Sequence, residues 1–171
     1  MERKSSPGIA TADLAMTEYD VQNIKELNNL GVEPFSKDFT DEYLIEKANR
    51  YPKRKIKQFV LDQTIIAGVG NIYADESLFR AGILPTRLVS NIQKHEWQKI
   101  INGIIKSLNI GLKYGGSSEE NYLNAEGEAG TAHLYLKVYR KTGQKCSKCG
   151  GKIQRIVLGG RGTHFCSNCQ R

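Results

Sequence analysis

The sequence predicts a mainly α-helical region, about residues 36–124, joined by a loop to a small β unit stapled by four cysteines. Three observations predict it. Trp97, Ile100, Ile101, Ile104, Ile105, Leu108 and Leu112 form one apolar stripe at helical spacing. All four cysteines, Cys146, Cys149, Cys166 and Cys169, lie in the last 26 of 171 residues. "LYLKVYRKTG" and "KIQRIVLGG", on either side of the first cysteine pair, alternate as strands do.

Taken in order, residues 1–30 carry no sustained period, although "VQNIKELNNLG" reads as a short helix ending at Gly31. Thr40 is placed to cap "DEYLIEKANRY", which has acids in its first turn and Pro52 to close it. In "KRKIKQFVLDQ", Ile56, Phe59, Val60 and Gln63 fall at helical spacing behind the basic residues Lys53, Arg54, Lys55 and Lys57. Cations at a helix N-terminus oppose the macrodipole, so this run looks placed for something outside. A solvated helix face is the plainer alternative.

"TIIAGVGNIYADESLFRAG" reads as a glycine turn and then a helix. Asn71 can cap it, Asp75 and Glu76 sit early in it, and Gly82 can close it. The longest helix is read as starting at a capping box, Ser90-x-x-Gln93, and ending at Gly115–Gly116, with its stripe wholly in the core. "NAEGEAGTAH" is a loop before the strands.

The cysteines are spaced Cys-x2-Cys, sixteen residues, Cys-x2-Cys, the window of a zinc ribbon. Two such turns supply four thiolates to one ion with no open position, so one structural Zn2+ is expected. Two disulfides or free thiols are the alternative, and disulfides are rare in reduced cytosol. A β unit this small needs a metal for stability.

A net charge of +7 favours anionic partners, nucleic acid first. No window reaches the run of about eighteen apolar residues that a membrane span needs. The start lacks the apolar centre of a secretory signal, so a cytoplasmic chain with no membrane partner is expected. "GVGN" alone is weak, since a tight bend explains it. Helix N-termini do attract phosphate, however, and the basic run stands just before it. "GGRGTHFC" sets Arg161 among three glycines, either as a solvated turn or as a tip that touches a partner.

Three stretches, "FVLDQTIIAGVGNIYADESLFRAGILP", "VYRKTGQKCSKCG" and "GGRGTHFCSNCQR", resemble the C-terminal half of the formamidopyrimidine-DNA glycosylase family, from about Leu30 to Arg171. The first is similar to its helix–two-turn–helix and the others to its zinc finger. The related endonuclease-eight branch shares this architecture, but "AGT" and "GGRGTHFC" look closer to the formamidopyrimidine branch. The resemblance implies a fold: a helix–two-turn–helix bundle followed by a four-cysteine zinc-finger β-hairpin. It divides the chain into an N-terminal stub (1–35), the helical domain (36–124), a loop like the one that closes over a flipped base (125–134), and the finger (135–171).

The same resemblance implies roles. Asn71 matches an asparagine that binds phosphates at the lesion, with Gly70 and Tyr73 beside it. Lys53 and Lys57 fall on or near DNA-contacting positions. Arg161 matches the finger arginine that grips flanking phosphates and takes part in δ-elimination. Two positions depart from the pattern: Ala132 stands where a bulky aromatic is common, and Arg140 replaces a glycine. The family's attacking amine is an N-terminal proline followed by glutamate, whereas this sequence begins Met1-Glu2-Arg3.

The resulting expectation is a damaged-DNA-binding portion of a base-excision-repair glycosylase/AP lyase, not catalytic alone. It would be a nucleoid-associated, bacterial monomer on damaged double-stranded DNA, its other half lost by sequence truncation or frameshift, or supplied as a separate N-terminal half. The alternatives are a non-enzymatic zinc-ribbon DNA-binding protein and a protein-interaction module.

Overall fold

A computed structural model describes residues 29–116 and 130–171. The short helix expected in "VQNIKELNNLG", the "SSEENYL" segment and the first part of the loop at 125–134 lie largely or wholly outside these residues.

Helix α1 (Asp41–Arg50) starts where Thr40 predicts. The Thr40 backbone is extended, and its Oγ1 accepts from the Tyr43 N–H at 3.2 Å. Asp41 and Glu42 in the first turn and Lys47 and Arg50 in the last complement the dipole, and Leu44 and Ala48 are buried. The chain leaves at Tyr51, just before Pro52.

Helix α2 (Ile56–Val60) has only five residues, shorter than the periodic stretch suggests. Lys53 and Arg54 fall in the turn before it. Gln63 is not on its apolar face but braces the next turn. Its amide donates to the Val69 carbonyl at 3.0 Å and accepts from the Gly68 N–H at 2.8 Å.

Helix α3 (Asn71–Ala81) is the central element. Its cap is Gly70 rather than Asn71, which is already the first helical residue. Gly82 ends it in the left-handed conformation at φ 76°. Ala74 through Phe79 are all buried, Asp75 and Glu76 included. A helix buried on this many sides must be enclosed by two partners. One is α4 (Lys94–Lys113), where Gly103 lets the helices touch: a Cβ there would lie 2.5 Å from the Ser77 carbonyl oxygen. The other is the cysteine unit, whose own small core of Val138, Cys146, Ile153 and Cys166 receives Phe79 from α3.

The capping box of α4 lies three residues beyond the expected one. Gln93 is the cap and Glu96 its partner, the Gln93 N–H donating to Glu96 at 2.9 Å. Ser90 belongs instead to a 3-10 turn, Val89–Asn91. Arg87 fixes the choice by gripping both Glu96 oxygens, at 2.7 and 2.8 Å. The predicted stripe is core as far as Leu108, but Leu112 is 72% exposed.

The larger correction concerns "LYLKVYRKTG", which is not a strand. Ala132–Tyr135 form a 3-10 turn, and the backbone beyond turns its donors to one carboxylate. Glu76 accepts from the N–H groups of Lys137, Val138 and Tyr139 at 2.8–3.0 Å. Donors committed to a carboxylate cannot build a ladder. The strands are β1 (Gln154–Leu158) and β2 (Arg161–Phe165), antiparallel, with Leu158 opposite Arg161. The C-terminus closes the assembly: the Gln170 amide donates to the Ile83 carbonyl and accepts from the Cys166 N–H.

Arg140 has φ 56° and is the only non-glycine residue with positive φ among the described residues. An L-residue pays roughly 1–2 kcal/mol in that region. Arg140→Gly is therefore expected to raise the unfolding free energy by about 1 kcal/mol, as read by denaturant titration of the zinc-loaded protein. A loss of stability would show that the Arg140 side chain contributes more than its backbone costs.

Candidate metal centre and anion cleft

The four sulfurs converge as the spacing predicts. Two tight turns present them: the Gly150 N–H returns to the Cys146 carbonyl at 2.8 Å, and the Cys169 N–H to the Cys166 carbonyl at 3.2 Å. All four Sγ atoms lie within 4.8 Å of one another, with Cys146–Cys169 at 3.7 Å and Cys149–Cys166 at 3.5 Å. These separations are far longer than a disulfide bond of about 2.05 Å. They match the edge of a sulfur tetrahedron around zinc, roughly 3.8 Å for Zn–S bonds of about 2.3 Å.

Electrostatics within the quartet also calls for a cation. Burial opposes ionisation of Cys146, but the backbone N–H groups of Lys148 and Cys149 and its thiol neighbours bring it down to about 7. Burial and the neighbouring thiols push Cys169 up to about 12. Four thiolates this close repel one another, and a divalent ion offsets that repulsion when all four bind. The site is closed and holds one structural zinc.

The second site lies at the tip of the β1–β2 hairpin. Gly159 and Gly160, at φ 56° and 74°, form the two-residue turn whose twist suits a hairpin. Gly159 also rests on α2: a Cβ there would come within 2.6 Å of the Gln58 amide nitrogen. Arg161 follows at the head of β2, exposed. Between the hairpin tip and the start of α3 runs an open cleft of about 450 Å3, lined by Arg54, Gln58, Gly70, Asn71, Gly159 and Arg161 among others. Gly70 caps α3 without a side-chain acceptor, so the first N–H groups of α3 have no side chain to satisfy them. Arg54 stands on the far wall, its guanidinium 4.2 Å from the Tyr51 ring centre and 2.5 Å from Asp62. Two guanidinium groups, a helix N-terminus and an amide thus face one open space; Asp62 also lines it but is paired with Arg54, and the balance suits phosphate oxygens.

Gly70, Asn71 and Arg161 are brought together, with one Asn71 amide hydrogen already given to the Gly162 carbonyl at 3.1 Å. The other remains for a ligand. Lys53 is exposed in the turn before α2 but does not line the cleft. Tyr73 faces away, in an apolar groove with Phe35, Leu108 and Leu112. Lys57 is a correction: it is fully buried beneath the hairpin. Its ammonium meets Asp75 at 2.6 Å, Thr163 Oγ1 at 2.8 Å and the Gly162 carbonyl at 3.0 Å. Two hydrogen bonds and one ion pair turn the ammonium inward, and a fully buried ammonium is out of a phosphate's reach. Burial pushes Lys57 down and Asp75 up, and each opposes the shift in the other.

The sequence reading left Gln58, Asp75, Glu76 and His164 out of the site. Asp75 accepts from the His164 N–H at 2.9 Å and faces its Nδ1 at 3.0 Å. Only the adjacency of two acids in an otherwise apolar helix centre hinted at them.

A helical bundle with a glycine turn at the start of its central helix, fused to a four-cysteine finger, is a two-part architecture, and each part matches a known domain family. Residues 30–122 match the formamidopyrimidine-DNA glycosylase H2TH domain, and residues 143–171 match the zinc finger found in FPG and IleRS. The formamidopyrimidine-DNA glycosylase of Prochlorococcus marinus (strain MIT 9301) is 48% identical over 148 residues, 86% of this chain and 50% of the relative. That of Cytobacillus firmus is 45% identical over 149 residues, 87% of this chain and 54% of the relative. Among solved structures, the complex of Lactococcus lactis Fpg with DNA containing an abasic site superposes with a TM-score of 0.76 at 43% identity, covering 84% of this chain and 52% of that one. The MutM (Fpg) protein from Thermus thermophilus gives a TM-score of 0.80 at 37% identity, covering 88% and 57%. The chain belongs to the formamidopyrimidine-DNA glycosylase family. It spans about half the length of these relatives, on their helix–two-turn–helix and zinc-finger portion.

One zinc per chain is expected after purification without added metal, measured by elemental analysis. Cys149→Ser removes a ligand from a closed site and should lose the metal and the finger's ordered amide signals. A full zinc complement in that variant would contradict the assignment.

Proposed function

We propose that these 171 residues form the damaged-DNA-binding C-terminal portion of a base-excision-repair DNA glycosylase/AP lyase directed at oxidised purines such as 8-oxoguanine and formamidopyrimidine. The observation that carries the reading is the convergence of Arg161, Arg54 and the α3 N-terminus on one cleft. The Lactococcus lactis relative, solved with DNA containing an abasic site, supports it. In this reading the N–H groups after Gly70 and the second Asn71 hydrogen take one phosphate, and Arg161 takes a flanking one with its planar fork. Lys53 adds charge near the duplex without lining the cleft. Tyr73, in its separate groove, supports α3 and does not touch DNA.

The resemblance assigns attack on the sugar to a secondary amine followed by a glutamate. Neither Arg161 nor Asn71 can replace that nucleophile, although Arg161 can stabilise charge on a phosphate that leaves in δ-elimination. Excision is therefore proposed to require the half of the relatives' length that these residues do not span, on the same polypeptide or supplied separately. The chain acts as a monomer on the duplex.

Binding to an abasic-site duplex is expected to weaken as salt rises. Arg161→Ala should cost about 1.5–3 kcal/mol, the range for a hydrogen bond to a charged group. Fluorescence anisotropy across a salt series measures both, and unchanged affinity at low salt would remove Arg161 from the interface. In single-turnover assays the chain alone should release no 8-oxoguanine, and adding a separately expressed N-terminal half should restore release. Base release by the chain alone at the rate of an intact family enzyme would overturn this division of labour.

A further inference from the structure

We infer that Asp75 is a positioning residue for Arg161: from inside α3 it fixes the hairpin, through Lys57 and His164, at the angle that presents the guanidinium to the cleft. The inference rests on the reading of Arg161 as a phosphate contact.

The Arg161 guanidinium makes no hydrogen bond or ion pair with the described residues, so its placement comes from the backbone that carries it. That backbone is a two-stranded hairpin, a unit that is marginal on its own. Each of the three residues after Arg161 is tied to α2 or α3. The Gly162 carbonyl accepts from Lys57 and from Asn71 at 3.0 and 3.1 Å. Thr163 Oγ1 accepts from Lys57 at 2.8 Å and donates to the Arg161 carbonyl at 3.2 Å. The His164 N–H and Nδ1 both meet Asp75 Oδ2.

Asp75 is where these ties converge. One oxygen holds Lys57 at 2.6 Å and the other holds His164, and both acid and lysine are fully buried. A continuous path therefore runs from Asp75 through Lys57 and Thr163 to the Arg161 carbonyl. Removing the acid leaves the Lys57 ammonium buried without a counter-charge, so it sheds a proton or moves outward past Gly162 and Thr163, and either change alters its hold on them. Asp75 itself is sealed from solvent and touches no phosphate.

The sign of the effect separates this role from simple electrostatics. Deleting one acid raises the formal net charge of +7 by one. On charge alone that strengthens DNA binding. Positioning predicts the reverse.

The test measures affinity for an abasic-site duplex across a salt series for the full chain, Asp75→Ala, Arg161→Ala and the double variant, with zinc content and melting followed for each. Asp75→Ala, zinc-loaded and folded, is expected to bind roughly fivefold or more weakly, with a salt slope lower by about one phosphate contact. In the Arg161→Ala background the same change should cost less than about twofold. If Asp75→Ala does not fold, Lys57→Met with Asp75→Leu refills the volume without a buried charge and takes its place, with the same expected outcomes. A folded variant of either kind with wild-type affinity and slope, while Arg161→Ala is weakened, overturns the inference. An equal loss in both backgrounds also overturns it, because the effect then does not pass through Arg161. Wild-type binding by Arg161→Ala itself would remove the reading of the cleft, and the inference with it.

Discussion

Two consecutive buried carboxylates on one helix hold the two parts of this molecule together. Side chains at successive helical positions point about 100° apart. Asp75 and Glu76 therefore leave α3 in different directions, and each reaches donors on the cysteine unit, Asp75 sharing itself with Lys57 of α2. Glu76 takes the three backbone N–H groups of Lys137, Val138 and Tyr139, and Asp75 takes His164 on β2. Neither acid is exposed by more than 1%. An unpaired charge there would be strongly unfavourable, so the seating of the finger supplies the backbone donors that satisfy Glu76 and the second partner of Asp75. The zinc site shapes the other side of this contact. Without four thiolates closing on one ion, Cys146 and Cys166 would not hold the small core that receives Phe79.

The cleft is a product of that joint. Its two walls come from different parts of the chain: the turn before α3 and α2 on one side, the hairpin tip on the other. Each wall alone is a common surface feature, a helix N-terminus or an arginine on a turn. A few ångströms of relative movement would separate their donors. The glycines around Arg161 give the chain a tight turn of the right hand and let the tip lie against Gln58. Direction comes from beneath, through Lys57, Thr163 and His164.

The parts of this arrangement that were legible in the sequence are those that depend on neighbours. Thr40, Gly82 and the cysteine spacing act within a few residues, and the stripe of α4 is set by helical period. The capping box failed locally, since Ser90–Gln93 and Gln93–Glu96 both fit the pattern. Arg87, bound to Glu96, decided between them. "LYLKVYRKTG" has a strand's alternation, but Glu76, about sixty residues earlier, takes its donors. Lys57 reads as one of a basic run because nothing nearby marks it for burial, and its partners in the hairpin lie 105 and 106 residues away.

The claim underlying all of this is that finger and helical module form one rigid joint through α3, and amide hydrogen exchange tests it directly. In the zinc-loaded chain, the amides of Val138 and His164, which donate to Glu76 and Asp75, should exchange as slowly as those at the centre of α3 such as Leu78. Exchange of Val138 and His164 orders of magnitude faster than Leu78, with zinc still bound, would show a finger that opens independently of the helices and would contradict the account.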